Sequence, residues 1–261
     1  MAGQSTAKYL EDGRYQYIPY QQLFRRTTSV NVKGIAYEGY ANRDSLKYRD
    51  TYGLKDVQTM LRGTLRYEGF CSAWNVLVQL GCCDDTYQME DVDSMTHRQF
   101  IESFVFRGGH SITEAIGGML GLDPNGEEMK KLAWSGLFSD ELVGLQSGSP
   151  ARILEHILLK KWTLNADDRD FVVMWHRFIY EQDGKRHALQ AHLTATGANA
   201  TETAMARTVG LPLGIAAGLI MEGKIHTRGV AIPVSRDIYE PVLRELRASG
   251  IELIEEGIEE R

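Results

Sequence analysis

Leu61-Arg62-Gly63-Thr64-Leu65-Arg66-Tyr67, followed shortly by Phe70-Cys71-Ser72-Ala73-Trp74-Asn75-Val76-Leu77-Val78-Gln79-Leu80, sets the architecture. The first run alternates in the strand manner, with Arg62, Thr64 and Arg66 on one face and Leu61, Leu65 and Tyr67 on the other. In the second run the period changes. Phe70, Trp74, Leu77 and Val78 recur at i, i+4, i+7 and i+8, which is one apolar stripe of a helix. A chain that switches period over so short a distance is α/β or α+β, and an all-β fold is excluded.

Upstream, Ala7 to Glu38 reads as short strands and turns: Asp12-Gly13 is a turn signal, and Arg14 to Ile18 alternates before Pro19. A second extended stretch, Ile35 to Tyr40, runs into the polar loop Asn42-Arg43-Asp44-Ser45. A short helix is expected from Leu46 to Gly53, and then a strand from Val57 to Tyr67. Downstream, Thr96 to Trp162 holds four more helix-like segments between glycine-rich and proline-rich turns, a small helical subdomain. Phe171 to Tyr180 and Ala188 to Thr196 flank a turn containing Asp183-Gly184, a strong hairpin signal. Leu211 to Glu222 reads as a helix with Pro212 tolerated near its start and Gly223 closing it. Ile238, Val242, Leu243 and Leu246 give a last amphipathic helix before an acidic, frayed tail from Glu255 to Arg261. The expected organisation is a strand-rich part over 1–95, a helical subdomain over 96–165, a sheet hairpin over 166–200 and a helical segment over 201–261.

Composition narrows the function. The net charge is −6 and the pI near 5.7, so a polyanion-binding surface is not expected and nucleic acid is excluded as a partner. No uninterrupted apolar run of membrane-spanning length and no apolar leader is visible, which points to a cytoplasmic protein with no membrane partner. Cys71, Cys82 and Cys83 form no CxxC pair and are expected to be buried small groups. The histidines lack metal-ligand spacing, so no metal is expected. Ile116-Gly117-Gly118-Met119-Leu120-Gly121 lies within helical pattern and is no phosphate cradle. Ser111 and Ser139 lack a nucleophile elbow, and His176 and His192 read as hairpin residues.

The chemistry concentrates in the arginines. Arg62, Arg66 and the loop residue Arg43 would present guanidinium forks, which bind carboxylates bidentately and suit a ligand carrying several of them. The alternative is a solvated face whose arginines pair with Glu38, Asp44 or Asp50.

At these residues a family resemblance appears. Tyr37-Glu38-Gly39-Tyr40-Ala41-Asn42-Arg43-Asp44-Ser45 resembles the EGYPNRDS motif of the saccharopine dehydrogenases that form L-glutamate, with Ala41 where the family has proline. Leu61 to Tyr67 is similar to their LRGTLRY motif, and Gly69-Phe70 continues it. Ala133 to Asp140 is similar to their WLGLFSD stretch, and the span from Ala204 to Pro241 resembles their closing segment.

The resemblance implies a mixed-sheet substrate and dimerisation domain with an inserted helical subdomain. An N-terminal Rossmann unit that binds NADP or NAD would precede Met1, and the 201–261 segment would pack back towards it. It implies an oxidoreductase of lysine metabolism that interconverts saccharopine with L-glutamate and aminoadipate semialdehyde, acting as a homodimer. Arg43, Thr64, Leu65 and Arg66 would contact saccharopine, with Asn42 and Arg62 in support. Catalytic groups and the nucleotide site would belong to the preceding unit, leaving this chain alone inactive. Rival readings are an imine-reducing dehydrogenase of polyamine synthesis and a non-catalytic binding module.

Overall fold

A computed structural model describes residues 5–106 and 108–258. The chain divides into two compact units, one made of Met1–Asp50 with Leu54–Thr163, the other of Thr51–Gly53 with Leu164–Arg261.

In the first unit, strands β1 (Ala7–Glu11) and β2 (Arg14–Ile18) form a hairpin. Asp12 and Gly13 both have positive φ, 48° and 75°, which matches the twist a tight two-residue turn requires. One turn of helix, α1 (Tyr20–Leu23), leads to β3 (Thr27–Val32) and β4 (Ile35–Ala41), joined by a second such turn at Lys33-Gly34. β5 (Gly63–Tyr67) completes an antiparallel sheet of order β3-β4-β5. The strand expected from Val57 begins only at Gly63. Residues before it are spent in turns, and Met60 exchanges backbone hydrogen bonds with Leu10 instead. The helix expected from Leu46 to Gly53 is a 3-10 turn, Ser45–Tyr48, started by Asp44, whose carboxylate accepts the Leu46 N–H at 2.8 Å.

Helix α2 (Phe70–Leu80) spans the segment expected from its stripe and stops at Gly81 in the left-handed region. Four helices follow: α3 (His97–Glu102), α4 (Ile112–Leu120), α5 (Glu127–Trp134) and α6 (Pro150–Trp162). Their starts are written locally. Thr96 with Gln99 and Ser111 with Glu114 form capping boxes, and Ser149 caps α6 with Pro150 in its first turn. Phe100, Ile101, Ile116, Leu137, Ile153 and Leu154 are buried together with Val76 and Leu77 of α2 in one core.

In the second unit, β6 (Phe171–Gln182) and β7 (Lys185–Thr196) form the expected hairpin around Asp183-Gly184. The tail is not frayed over its described part. Ile254–Ile258 forms β8, antiparallel to β7, while residues 259–261 lie outside the described residues. α8 (Arg236–Ala248) carries Val242 and Leu246 to a small core with Leu193, Ile251, Leu211 and Ile215. By register, Phe178 and Tyr180 lie on the same sheet face as Leu193 but beyond that core, 50% and 45% exposed, whereas Phe171, Val173, Trp175 and Ile179 alternate onto the opposite face.

Helix α7 (Ala204–Met221) corrects the reading of Pro212, which lies inside the helix rather than near its start. A proline there forfeits a backbone hydrogen bond at a cost of about 3 kcal/mol. The start of α7 is firmly held in compensation. The Asp170 carboxylate accepts the N–H groups of Ala204 at 2.6 Å and Met205 at 2.9 Å, and Thr203 Oγ1 accepts that of Ala206 at 2.9 Å. Begun at Ala204, α7 is long and apolar enough to cross a membrane by length and composition, which a helix begun at Leu211 is not. Within its unit only Ala204 and Leu219 of this helix are buried.

Candidate functional site

The site is built on the β4–β5 pair. Tyr40 lies opposite Thr64 and Glu38 opposite Arg66, so these four side chains share one sheet face. The Asn42 N–H donates to the Arg62 carbonyl at 2.8 Å, which makes 42/62 a hydrogen-bonding pair of this register. Alternation then makes Tyr40/Thr64 and Glu38/Arg66 bonding pairs as well and turns the N–H and C=O of Leu65 to the open edge of β5. The Leu65 side chain lies on the other face, near Gly39. Leu65 therefore offers a ligand beside Arg66 its backbone, not its side chain.

The Asn42–Ser45 loop is tied to this strand. The Asn42 amide donates to Thr64 Oγ1 at 3.2 Å, and Ser45 Oγ accepts the Arg62 N–H at 2.9 Å while almost fully buried. Arg43 between them has φ 52°, unfavourable for a side chain of its size, and its carbonyl accepts the Lys8 N–H at 2.9 Å. Among the described residues the other non-glycine residues of positive φ are three aspartates and a lysine, and three of these four open tight turns before a glycine. Arg43 has no such excuse. Backbone strain held by surrounding bonds marks a residue whose placement matters.

Arg62 lies one position before the strand, its guanidinium 6.0 Å from the Tyr48 ring centre. Arg66 sits 5.4 Å from the Phe70 ring centre and donates to the Leu65 carbonyl at 3.3 Å. Among the described residues none of Arg43, Arg62 and Arg66 makes an ion pair. Two of the carboxylates that might neutralise them are engaged elsewhere. Glu38 accepts the Cys71 N–H at 2.8 Å, and Asp44 pairs with Lys8 at 3.7 Å besides capping the 3-10 turn. Burial works against ionisation of Glu38, but hydrogen bonds from the Cys71 and Gly69 backbone and the charge of Lys131 outweigh it, holding its carboxyl below the usual range. Pairs of these arginines with Glu38 or Asp44 are thus not what forms.

Nucleophiles in this region are quiet. Burial, then the neighbouring Glu38, pushes the Cys71 thiol up to about 12, so it stays protonated at neutral pH. All three cysteines are buried thiols outside any disulfide. Burial raises the Tyr40 phenol despite the opposing influence of Arg66 and Thr64. Ser139 Oγ lies 3.0 Å from His97 Nδ1, but that nitrogen also faces the Gly136 carbonyl at 3.0 Å and so carries its hydrogen towards an acceptor. It cannot take a proton from the serine. Among the described residues no three His, Cys, Asp or Glu side chains cluster as a metal site.

Two helix N-termini are closed to a dinucleotide. A pyrophosphate needs a free helix N-terminus, yet that of α2, which follows strand β5, holds Glu38, and that of α7 holds Asp170. Gly117 lies inside α4, where an added Cβ would meet the Leu122 carbonyl oxygen at 2.7 Å, so its glycine serves packing.

Residues 1–251 match the family model described as the saccharopine dehydrogenase C-terminal domain. The chain belongs to this family. It is 34% identical to the rat mitochondrial alpha-aminoadipic semialdehyde synthase over 84% of its own length and 24% of that protein. It is 29% identical to the Schizosaccharomyces pombe saccharopine dehydrogenase [NADP(+), L-glutamate-forming], covering 100% of this chain and 60% of that one. The solved apo saccharopine dehydrogenase (L-Glu forming) from Saccharomyces cerevisiae superposes with a TM-score of 0.83 at 28% identity, covering 99% of this chain and 60% of that chain. The chain thus spans 60% of the length of these fungal relatives and shares the mixed α/β fold of the solved one.

Within this family member, Thr64 and Arg66 share one face of the β4–β5 pair, and Asn42, which is bonded to Arg62 and Thr64, ties the loop that carries Arg43 to β5. Sequence reading missed Ser45 and Phe70 as parts of this site. Ser45 stood in the NRDS motif and Phe70 directly after the arginine strand, but only their tertiary contacts assign them a task.

Proposed function

We propose that this chain is the substrate-binding part of a saccharopine dehydrogenase that interconverts saccharopine with L-glutamate and aminoadipate semialdehyde in lysine metabolism. One observation carries the reading: Arg62 and Arg66 on β5 and beside it, and Arg43 on the loop bonded to it, make no ion pair among the described residues, while the nearby Glu38 and Asp44 are committed elsewhere. Saccharopine bears three carboxylates, each a bidentate match for an arginine fork. Arg43 and Arg66 would take two carboxylates directly, Thr64 and the outward backbone of Leu65 would add hydrogen bonds, and Asn42 and Arg62 would hold the loop against the strand.

The nucleotide, NADP(H) or NAD(H), would be held by residues outside this chain, corresponding to the part of the fungal relatives that it does not cover. Two features support this reading: the filled N-termini of α2 and α7, and the wide exposed apolar surface of α7, which includes Met205, Val209 and Leu213. This chain by itself would then form no NADPH from saccharopine and NADP+. The sheet face presenting Phe171, Val173, Trp175 and Ile179 lies opposite the helix-covered one and would pair two copies into a homodimer.

The direct test is calorimetric titration of L-saccharopine into the purified protein. Saturable binding that Arg66→Ala and Arg43→Ala both weaken supports the reading. Equal affinity in wild type and both variants would overturn it.

A further inference from the structure

We infer that Phe70 is the positioning residue for Arg66, an assignment that rests on the reading of Arg66 as a carboxylate ligand. Arg66 has little else to hold it. Its one hydrogen bond among the described residues is a 3.3 Å contact to the carbonyl of its own neighbour, Leu65. Its cross-strand partner Glu38 is turned to the start of α2, where it accepts the Cys71 N–H. A long guanidinium side chain in that situation populates many rotamers unless a surface selects one.

The Phe70 ring supplies that surface. The Arg66 guanidinium carbon stands 5.4 Å from the ring centre, within the range of cation–π attraction. The ring is itself immobilised. Trp74 stacks on it at 5.8 Å with planes 9° apart, and Trp162 of α6 backs Trp74 at 6.0 Å. The Glu38–Cys71 bond pins the first turn of α2 to β4 at the register position opposite Arg66, so the sheet that aims the arginine also aims the ring. Using Glu38 as this anchor serves twice: it fixes Phe70 and withholds a competing carboxylate from Arg66.

The test is a binding cycle read by calorimetry with L-saccharopine as the probe, using Phe70→Leu, Phe70→Tyr, Arg66→Ala and the Phe70→Leu/Arg66→Ala double variant. Leucine keeps apolar bulk but removes the π face, and tyrosine restores it. Phe70→Leu is expected to weaken binding about 3- to 10-fold. Phe70→Tyr should stay near wild type, and Phe70→Leu should add nothing in the Arg66→Ala background. Loss in Phe70→Leu that persists undiminished on top of Arg66→Ala, or loss of equal size in Phe70→Tyr, would overturn the positioning role. So would wild-type affinity in Phe70→Leu when Arg66→Ala binds weakly. If Arg66→Ala binds like wild type, the substrate-site reading fails instead. A ligand-free measurement keeps the two separable: Arg66 side-chain protons should show an upfield ring-current shift in NMR spectra that Phe70→Leu abolishes, and its absence in the wild type would sink the inference outright.

Discussion

The side-chain amide of Asn42 donates to Thr64 Oγ1 at 3.2 Å, joining the loop that carries Arg43 to the strand that carries Arg66. The bond spans 22 residues of sequence and sits where the two arginines need a fixed separation. Asn42→Ala should therefore weaken saccharopine binding more than it weakens folding. We expect about 1 kcal/mol in binding, roughly a fivefold rise in Kd, read by calorimetry with circular dichroism as the folding control.

Arg66→Ala and Arg43→Ala remove a charge-assisted partner for a carboxylate. Each should cost about 2–4 kcal/mol, or roughly 30- to 1000-fold in saccharopine affinity. Arg66→Lys should recover only part, because an ammonium cannot meet two carboxylate oxygens with a planar fork. Full recovery by lysine would argue for a simple point-charge contact.

Gly63 opens β5 with its Cα against β4, and an added Cβ would stand 2.8 Å from the Tyr40 carbonyl oxygen. That atom is backbone and cannot step aside cheaply. Gly63→Ala should destabilise the protein by about 1–3 kcal/mol in urea unfolding. It should also weaken saccharopine binding, since Arg62 and Thr64 flank the displaced residue.

The Asp170 carboxylate holds the first two N–H groups of α7, and Gly197 lies so near it that a Cβ there would collide with Asp170 Oδ1. Asp170→Ala should cost about 1–3 kcal/mol and lower the melting temperature by a few degrees. Asp170→Asn, which keeps one acceptor oxygen but no charge, should fall between.

Glu38 makes acid stability measurable at one residue. Its folded-state carboxyl titrates below the usual value, so its stabilisation is present in full above the unfolded carboxylate pKa of about 4.3 and is lost as pH falls through the lower folded value. Glu38→Gln should be less stable than wild type at neutral pH, by about 1–3 kcal/mol. The urea midpoints of the two should converge below about pH 4. A gap that stays constant across that window would show that the Glu38 charge is not what holds Cys71 and Gly69.

Much of this protein was legible in its sequence because the deciding interactions are local. The change of period between Tyr67 and Phe70 and the Asp183-Gly184 hairpin both act within a few positions of where they stand. The ordered motifs around Arg43 and Arg66 pointed to the family for the same reason, since a motif is a local record. Long-range partners were not legible. Pro212 read as a helix start because the cap that sustains α7 is Asp170, 34 residues from Ala204. Glu255 and Glu256 looked like a solvated tail because the open edge of β7 that recruits them is invisible from composition. Above all, whether Arg43, Arg62 and Arg66 were neutralised or available depended on where Glu38 and Asp44 turned. Glu38 turned to a backbone N–H 33 residues away, a choice made by packing α2 against the sheet. The sequence by itself determined which residues bear the charge. Tertiary structure decided that the charge stays unspent, because an ion pair is a matter of a few ångströms and those distances exist only once the chain has folded.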